Sequence, residues 1–191
     1  MSDGVNTLIL GFVGRIAAGK STVGQYLKDK HNASIHRFST VLREIASRLY
    51  LEQNRDNLQK ISSALRQAFG DDILAKTIAE EVKKDEAKII VIDGIRRKPD
   101  IKYLRELPGF HLIYIYTKQE IRYNRLTKRG ENPDDNQKTL AEFQQDEKKE
   151  AEQQIDEVIK LARYTVDNNS TISHLYNQIE EILEKIKRNE S

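Results

Sequence analysis

Polar and apolar positions along the chain sort into two recurring patterns. Nearly unbroken apolar runs stand at 7–13 (TLILGFV), 88–93 (KIIVID) and 110–117 (FHLIYIYT). Such runs leave no polar face for water, which predicts strands buried on both sides, as in a parallel sheet covered by helices. Two shorter runs, 33–38 (ASIHRF) and 164–167 (YTVD), predict further strands. Between the strands, apolar residues recur three and four apart, the spacing of one helical face. They predict helices over 20–30 (Val23, Tyr26, Leu27), 40–50 (Val41, Leu42, Ile45, Leu49) and 56–69 (Leu58, Ile61, Leu65, Phe69). Others are predicted over 72–84 (Ile73, Leu74, Ile78, Val82) and 171–187 (Ile172, Leu175, Ile179, Ile182, Ile186). Gly70 is placed to stop the helix over 56–69, and Pro99 suits the first turn of a helix that LPG at 107–109 ends. Strand alternating with helix throughout predicts an α/β fold: three layers around a doubly wound, five-stranded parallel sheet.

The length of 191 residues suits one domain with its own core, and no linker or internal repeat divides it. One segment breaks the pattern. Residues 128–154 (KRGENPDDNQKTLAEFQQDEKKEAEQQ) start as a polar loop around Gly130 and Pro133 and then become a strongly charged helix. A solvated surface excursion and a mobile cover over a site both match it.

Charge narrows the function classes. Thirty-two basic and 30 acidic residues leave a net charge of +2, which gives no general case for binding nucleic acid or a membrane. The chain has no cysteine, which excludes disulfides, thiolate metal sites and thiol nucleophiles. Its four histidines (His31, His36, His111, His174) lack zinc-ligand spacing. No apolar run approaches the length of a membrane span and no leader pattern opens the chain, so a cytoplasmic location is expected.

The chemistry begins directly after the first apolar run. Gly14, Gly19, Lys20 and Ser21 satisfy G-x-x-x-x-G-K-[ST], the P-loop, between a predicted strand and a predicted helix as that motif requires. Gly14 and Gly19 let the backbone turn tightly through Ala17 and Ala18, with N–H groups facing the phosphates of ATP. Lys20 reaches the outer phosphates, the Ser21 hydroxyl ligates Mg²⁺, and Thr22 adds a phosphate hydrogen bond. The metal's second protein partner is expected from an acid ending a neighbouring strand. Asp93 closes IIVID and lies where ligands bind in open α/β sheets, so it is expected to hold Mg²⁺ through water.

Neighbouring residues restrict the class of P-loop protein. A GTPase predicts Asp-x-x-Gly after this strand, but position 96 is arginine, and residues 117–120 read TKQE rather than Asn-Lys-x-Asp. A motor or unfoldase ATPase predicts Glu after the Asp, but position 94 is glycine. A small-molecule kinase remains. Phosphoryl transfer needs positive charge on the moving group and water excluded from it. Arg122, Arg125 and Arg129 line one side of a helix just before the polar excursion, with Arg125 and Arg129 the better placed. For the acceptor, Ser39 and Arg43 follow the second strand, Arg66 ends a helix and Arg96 follows Asp93.

These motifs, with FSTVLRE, LRQAFGDDILA, VIDGIR, RYNRLTKRG, FQQDEKKE and ARYTVDN, give a resemblance to the nucleoside-monophosphate kinase superfamily over almost the whole chain. The similarity is to its dephospho-CoA kinase-like and nucleotide-kinase-like branch. The resemblance implies a single domain over 1–191, acceptor-binding helices about 39–85, a lid about 129–150, and Asn168 close to the adenine. It implies ATP and Mg²⁺, a small nucleotide acceptor, and a monomer or homodimer. Dephospho-CoA kinases carry Asp-x-Asp after the second strand; here FSTV has Ser39 and no acid. A nucleoside monophosphate is therefore the expected acceptor. Dephospho-CoA is the alternative, a regulator that binds nucleotide without transferring phosphate is another, and a polynucleotide-end kinase finds little support in the net charge.

Overall fold

β1 (Leu8–Val13) runs through the middle of a five-stranded sheet, and its alternate residues build two different cores. Leu8, Leu10 and Phe12 face one layer of helices, while Ile9 and Val13 face the other. That double burial is why the run has no polar position. The computed structural model describes residues 7–129, 135–148 and 154–190.

In chain order, β1 is followed by α1 (Lys20–His31), β2 (Ser34–Arg37), α2 (Phe38–Arg48), α3 (Arg55–Phe69), α4 (Ile73–Val82) and β3 (Ile89–Ile95). Two 3-10 turns, Lys98–Ile101 and Leu104–Glu106, lead into β4 (Phe110–Tyr116) and α5 (Gln119–Arg129). A third turn, Asp135–Gln137, precedes α6 (Leu140–Glu147); α7 (Ile155–Ile159), β5 (Tyr164–Asp167) and α8 (Ile172–Glu190) complete the described chain. The strand order is β2-β3-β1-β4-β5, and all four pairings are parallel. Helices α1 and α8 cover one face, where Val23 and Leu27 meet Leu175, Ile179 and Leu183. Helices α2, α4 and α7 cover the other, with Phe38, Leu42, Leu74, Ile78, Ile155 and Val158. The three-layer α/β fold is the one expected.

Two expectations need correcting in detail. β3 does not end at Asp93 but continues to Ile95. Its pairing with β1 jumps from Gly11↔Ile92 to Val13↔Ile95, so β3 carries one extra residue there, and Gly94 takes φ +96°. A bulge of this kind re-aims the side chains beside it. The helix expected after Pro99 is a pair of 3-10 turns instead. The Asp100 carboxylate turns back to accept from the backbone N–H groups of Arg96 and Arg97, both at 2.9 Å, which closes the chain too tightly for an α-helix.

Candidate functional site

The P-loop leaves the central strand and is held from three sides. A Cβ on Gly14 would stand 2.7 Å from the Ile115 carbonyl oxygen, so no larger residue fits there. Ala17 and Gly19 have φ of 59° and 105°, and a Cβ on Gly19 would collide with the Asn168 side-chain amide. The buried Ala18 carbonyl accepts from Thr117 Oγ1 at 2.9 Å and Asn168 Nδ2 at 2.8 Å. These two side chains follow β4 and β5, so the sheet's own ends fix the loop. Helix α1 then opens with no side-chain cap and no acid in its first turn, leaving its N–H groups and positive dipole end for an anion.

Lys20 folds over this loop. Its Nζ donates to the carbonyl oxygens of Gly14 at 2.6 Å and Arg15 at 3.2 Å. Ser21 and Thr22 lie exposed on the opening turn of α1. Ser21 Oγ lies 3.1 Å from Asp93 Oδ2, joining positions 72 residues apart. One hydroxyl and one carboxylate suit Mg²⁺, which keeps several waters and takes its remaining oxygens from phosphates. Among the described residues no group of three or more His, Asp or Glu forms a separate metal cage. Ser21 and Asp93 thus form a pair that could hold such an ion, beside Lys20 and the loop N–H groups.

The acceptor side departs from its sequence outline. Arg66 is 8% exposed and donates to Asp100 Oδ1 at 2.7 Å and to the Asp71 carbonyl. Asp100 is 2% exposed, and its other oxygen takes the Arg96 and Arg97 N–H groups. The guanidinium is therefore spent inside the protein as a brace between α3 and the loop after β3, not displayed to an acceptor. Arg43 reaches from α2 toward the start of α3, where its guanidinium donates to the Gln53 carbonyl at 3.4 Å. Ser39 is half-buried in the first turn of α2, and Arg96 follows the bulge in β3. Sequence reading passed over Arg37. It ends β2 directly beside Asp93 in the strand register, with Nε 3.7 Å from Asp93 Oδ2. Only the order of strands reveals that neighbour.

The arginines of α5 divide. Arg125 donates to the Asn168 carbonyl at 3.1 Å and its Oδ1 at 3.3 Å, beside the amide that grips Ala18. Burial lowers its pKa from the usual arginine value. Arg122 is buried, donating to the carbonyls of Thr117 and Ile16 and pairing with Glu147 of α6 at 2.5 Å. The Arg129 side chain and residues 130–134 and 149–150 of the expected lid lie outside the described residues. Helix α6 of that excursion and helix α7 after it both return to the P-loop. Glu147 reaches it through Arg122 and the Ile16 carbonyl, and Asp156 of α7 takes both Arg15 hydrogen bonds, at 2.7 and 2.8 Å. Arg15 and Asp156 were not singled out from the sequence; position 15 is a free position of the motif, and nothing local ties it to residue 156.

Comparison with known proteins agrees with this fold. A family described as "AAA domain" matches residues 10–156, which include the P-loop, Asp93 and the stretch of sequence that forms the excursion. A UPF0200 protein of Methanosarcina barkeri is 30% identical over 94% of this chain and 96% of its own length. One of Methanothrix thermoacetophila is 31% identical over 94% and 98%. Among solved structures, shikimate kinase of Bacteroides thetaiotaomicron superposes with a TM-score of 0.64 at 13% identity, covering 94% of this chain and 98% of the other. A gluconokinase of Sinorhizobium meliloti gives 0.55 at 14%, covering 97% and 95%. Likeness at that identity speaks for the fold alone, the P-loop kinase fold. By its matched residues and its relatives, the chain belongs to the AAA domain family of P-loop proteins and to the UPF0200 proteins.

Proposed function

We propose that this protein is a Mg²⁺-dependent phosphotransferase that moves the γ-phosphate of ATP to a nucleoside monophosphate. The observation that carries the reading is the 3.1 Å contact between Ser21 Oγ and Asp93 Oδ2 beside Lys20. A strand–turn–helix alone makes a phosphate cradle. The added hydroxyl–carboxylate pair is what a phosphoryl-transfer site uses to hold its metal. Mg²⁺, when bound, neutralises charge on the phosphate oxygens and orients them.

The chain's own residues supply the rest. Gly14 to Gly19, with Ala17 and Ala18, bind phosphate oxygens through backbone N–H groups. Lys20 exchanges its carbonyl partners for the outer phosphates, and Thr22 adds a hydroxyl at the same helix end. Asn168 orders the loop through Ala18 and, with Arg125 against it, forms the nucleotide side of the site. Arg129 belongs to the base of the excursion and adds charge to the transferring group. Residues 1–191 act as one domain, with the α2–α4 region facing the acceptor and residues about 129–150 closing over both substrates to exclude water. The shikimate kinase and gluconokinase likeness supports a small-molecule acceptor but does not choose among acceptors.

The test is a product assay with ATP and Mg²⁺ against AMP, GMP, CMP, UMP, their deoxy counterparts and dephospho-CoA. Nucleoside diphosphate should accumulate with at least one monophosphate. ATP turnover that no acceptor stimulates would instead make the protein a nucleotide-binding regulator.

A further inference from the structure

Arg37 is a cation at the centre of the site that the P-loop motif does not account for. It ends β2, its register partner is Asp93, and its Nε stands 3.7 Å from the same Oδ2 that meets Ser21. The Arg37 side chain is 40% exposed, against 13% for Asp93. A pair that open and that long is weak. The strand register, rather than the carboxylate, places this guanidinium beside the Ser21–Asp93 pair. Meanwhile Arg66 is consumed by Asp100, and Arg43 leans on the Gln53 carbonyl.

We propose that Arg37 binds the phosphate of the acceptor, and that the attacking atom is an unprotonated oxygen of that phosphate. This rests on the reading of the site as an ATP-dependent phosphotransferase. A hydroxyl acceptor must shed a proton as it attacks, so it needs a base placed beside it. At the end of β2 the chain offers the reverse, a permanent cation with a planar fork of donors that matches a phosphate. Asp93, the carboxylate beside that cation, already meets Ser21 through the oxygen facing Arg37. A monophosphate, with its second pKa of about 6, presents a bare oxygen at neutral pH and asks only for neutralisation and alignment.

The step balances without a proton. A lone pair of the acceptor oxygen forms the new bond to the γ-phosphorus. The bond from that phosphorus to the β–γ bridging oxygen breaks, and its electron pair stays on ADP. Four negative charges on ATP and two on the monophosphate become three on each product. A hydroxyl acceptor would release one proton per turnover.

The experiment follows turnover in weak buffer at about pH 8, above the second phosphate pKa, with ATP, Mg²⁺ and each of AMP, GMP, CMP, UMP and dephospho-CoA. Proton release and product are recorded together for the wild type, R37Q and R37K, after circular dichroism confirms folding. Diphosphate should form with no matching proton release. R37Q should raise the acceptor KM by roughly 10-fold or more while the ATP KM moves by less than about 3-fold, the pattern of lost acceptor binding. R37K should recover part of the loss, and it decides the matter if R37Q does not fold. If the wild type converts a monophosphate and the variants leave its KM unchanged, the assignment of Arg37 falls and the phosphotransferase reading stands. If dephospho-CoA alone is phosphorylated, with one proton per turnover, the phosphate-oxygen proposal falls. If the folded wild type phosphorylates nothing, both fall.

Discussion

Lys20 Nζ sits 2.6 Å from the carbonyl oxygen of Gly14, so the ammonium group is satisfied by the very loop it serves. Phosphates would therefore replace an internal hydrogen bond rather than fill an unmet need. Lys20→Ala removes that bond from the first residue of α1, where alanine is an excellent helix former. Transfer should fall to background while circular dichroism stays unchanged and stability moves by no more than about 1 kcal/mol, the net worth of such a bond. A variant that transfers phosphate at near wild-type rate would remove the P-loop from the mechanism.

The Arg66–Asp100 pair leads to a prediction about stability rather than turnover. Asp100→Ala leaves a buried guanidinium and two backbone N–H groups without their acceptor. Breaking one side of a buried pair costs about 3–5 kcal/mol. Urea unfolding should show that loss, and Arg66→Ala should lose a comparable amount. If either variant unfolds like the wild type, Arg66 is free to bind acceptor after all.

Acid should reveal a second cluster, on the far side of the sheet. Burial would raise the Glu180 pKa, but Tyr26, His31 and Lys30 all approach its Oε1, at 2.6, 2.8 and 3.0 Å, and hold it down at about 2. A carboxyl group depressed by folding stabilises the fold above its unfolded pKa and loses that effect as pH falls through the folded one. The contribution, on the order of 2 kcal/mol, should be complete near neutral pH and fade between about pH 4.5 and 2. Glu180→Gln should therefore lower stability at pH 7 and converge on the wild type towards pH 2. Chemical denaturation at a series of pH values checks it. A constant gap at every pH would show that packing, not charge, is what the glutamate provides.

Two anchors, one in the excursion and one in the helix after it, predict a change on binding. Glu147 and Asp156 both end on arginines that touch the P-loop. Hydrogen exchange over 140–148 and 154–160 should slow when Mg²⁺ with ADP and a monophosphate occupy the site. Asp156→Ala should reduce that response in 154–160, because Arg15 loses its bidentate partner. Identical exchange with and without nucleotides would leave the segment a surface feature with no part in closure.

Local signals carried much of the architecture. The strand at 164–167 falls where its four residues predicted it, and Gly70 ends α3 with φ 101°. Continuous apolar runs announce buried strands because both faces must be dry. The P-loop was equally legible, since four positions within a short stretch of chain, Gly14 to Ser21, suffice. The acceptor face was not. Arg37 acquires its meaning from lying next to Asp93 across two strands that are 51 residues apart in sequence only by way of three helices. Arg66 looked available because an arginine on a charged helix usually is; its partner, Asp100, lies 34 positions further on in a turn that the sequence read as helix.

Helix α1 carries the phosphate-binding end on one tip, yet its apolar side, through Val23 and Leu27, is covered by Leu175, Ile179 and Leu183 of α8. The Tyr26 and Tyr176 rings stack between the same two helices at 3.8 Å. During synthesis the P-loop helix is made well before α8, and its apolar side stays bare until α8 follows. Exposed apolar surface of that kind invites aggregation. A nascent protein halted before residue 172 would thus carry the whole P-loop without the cover that packs on its helix.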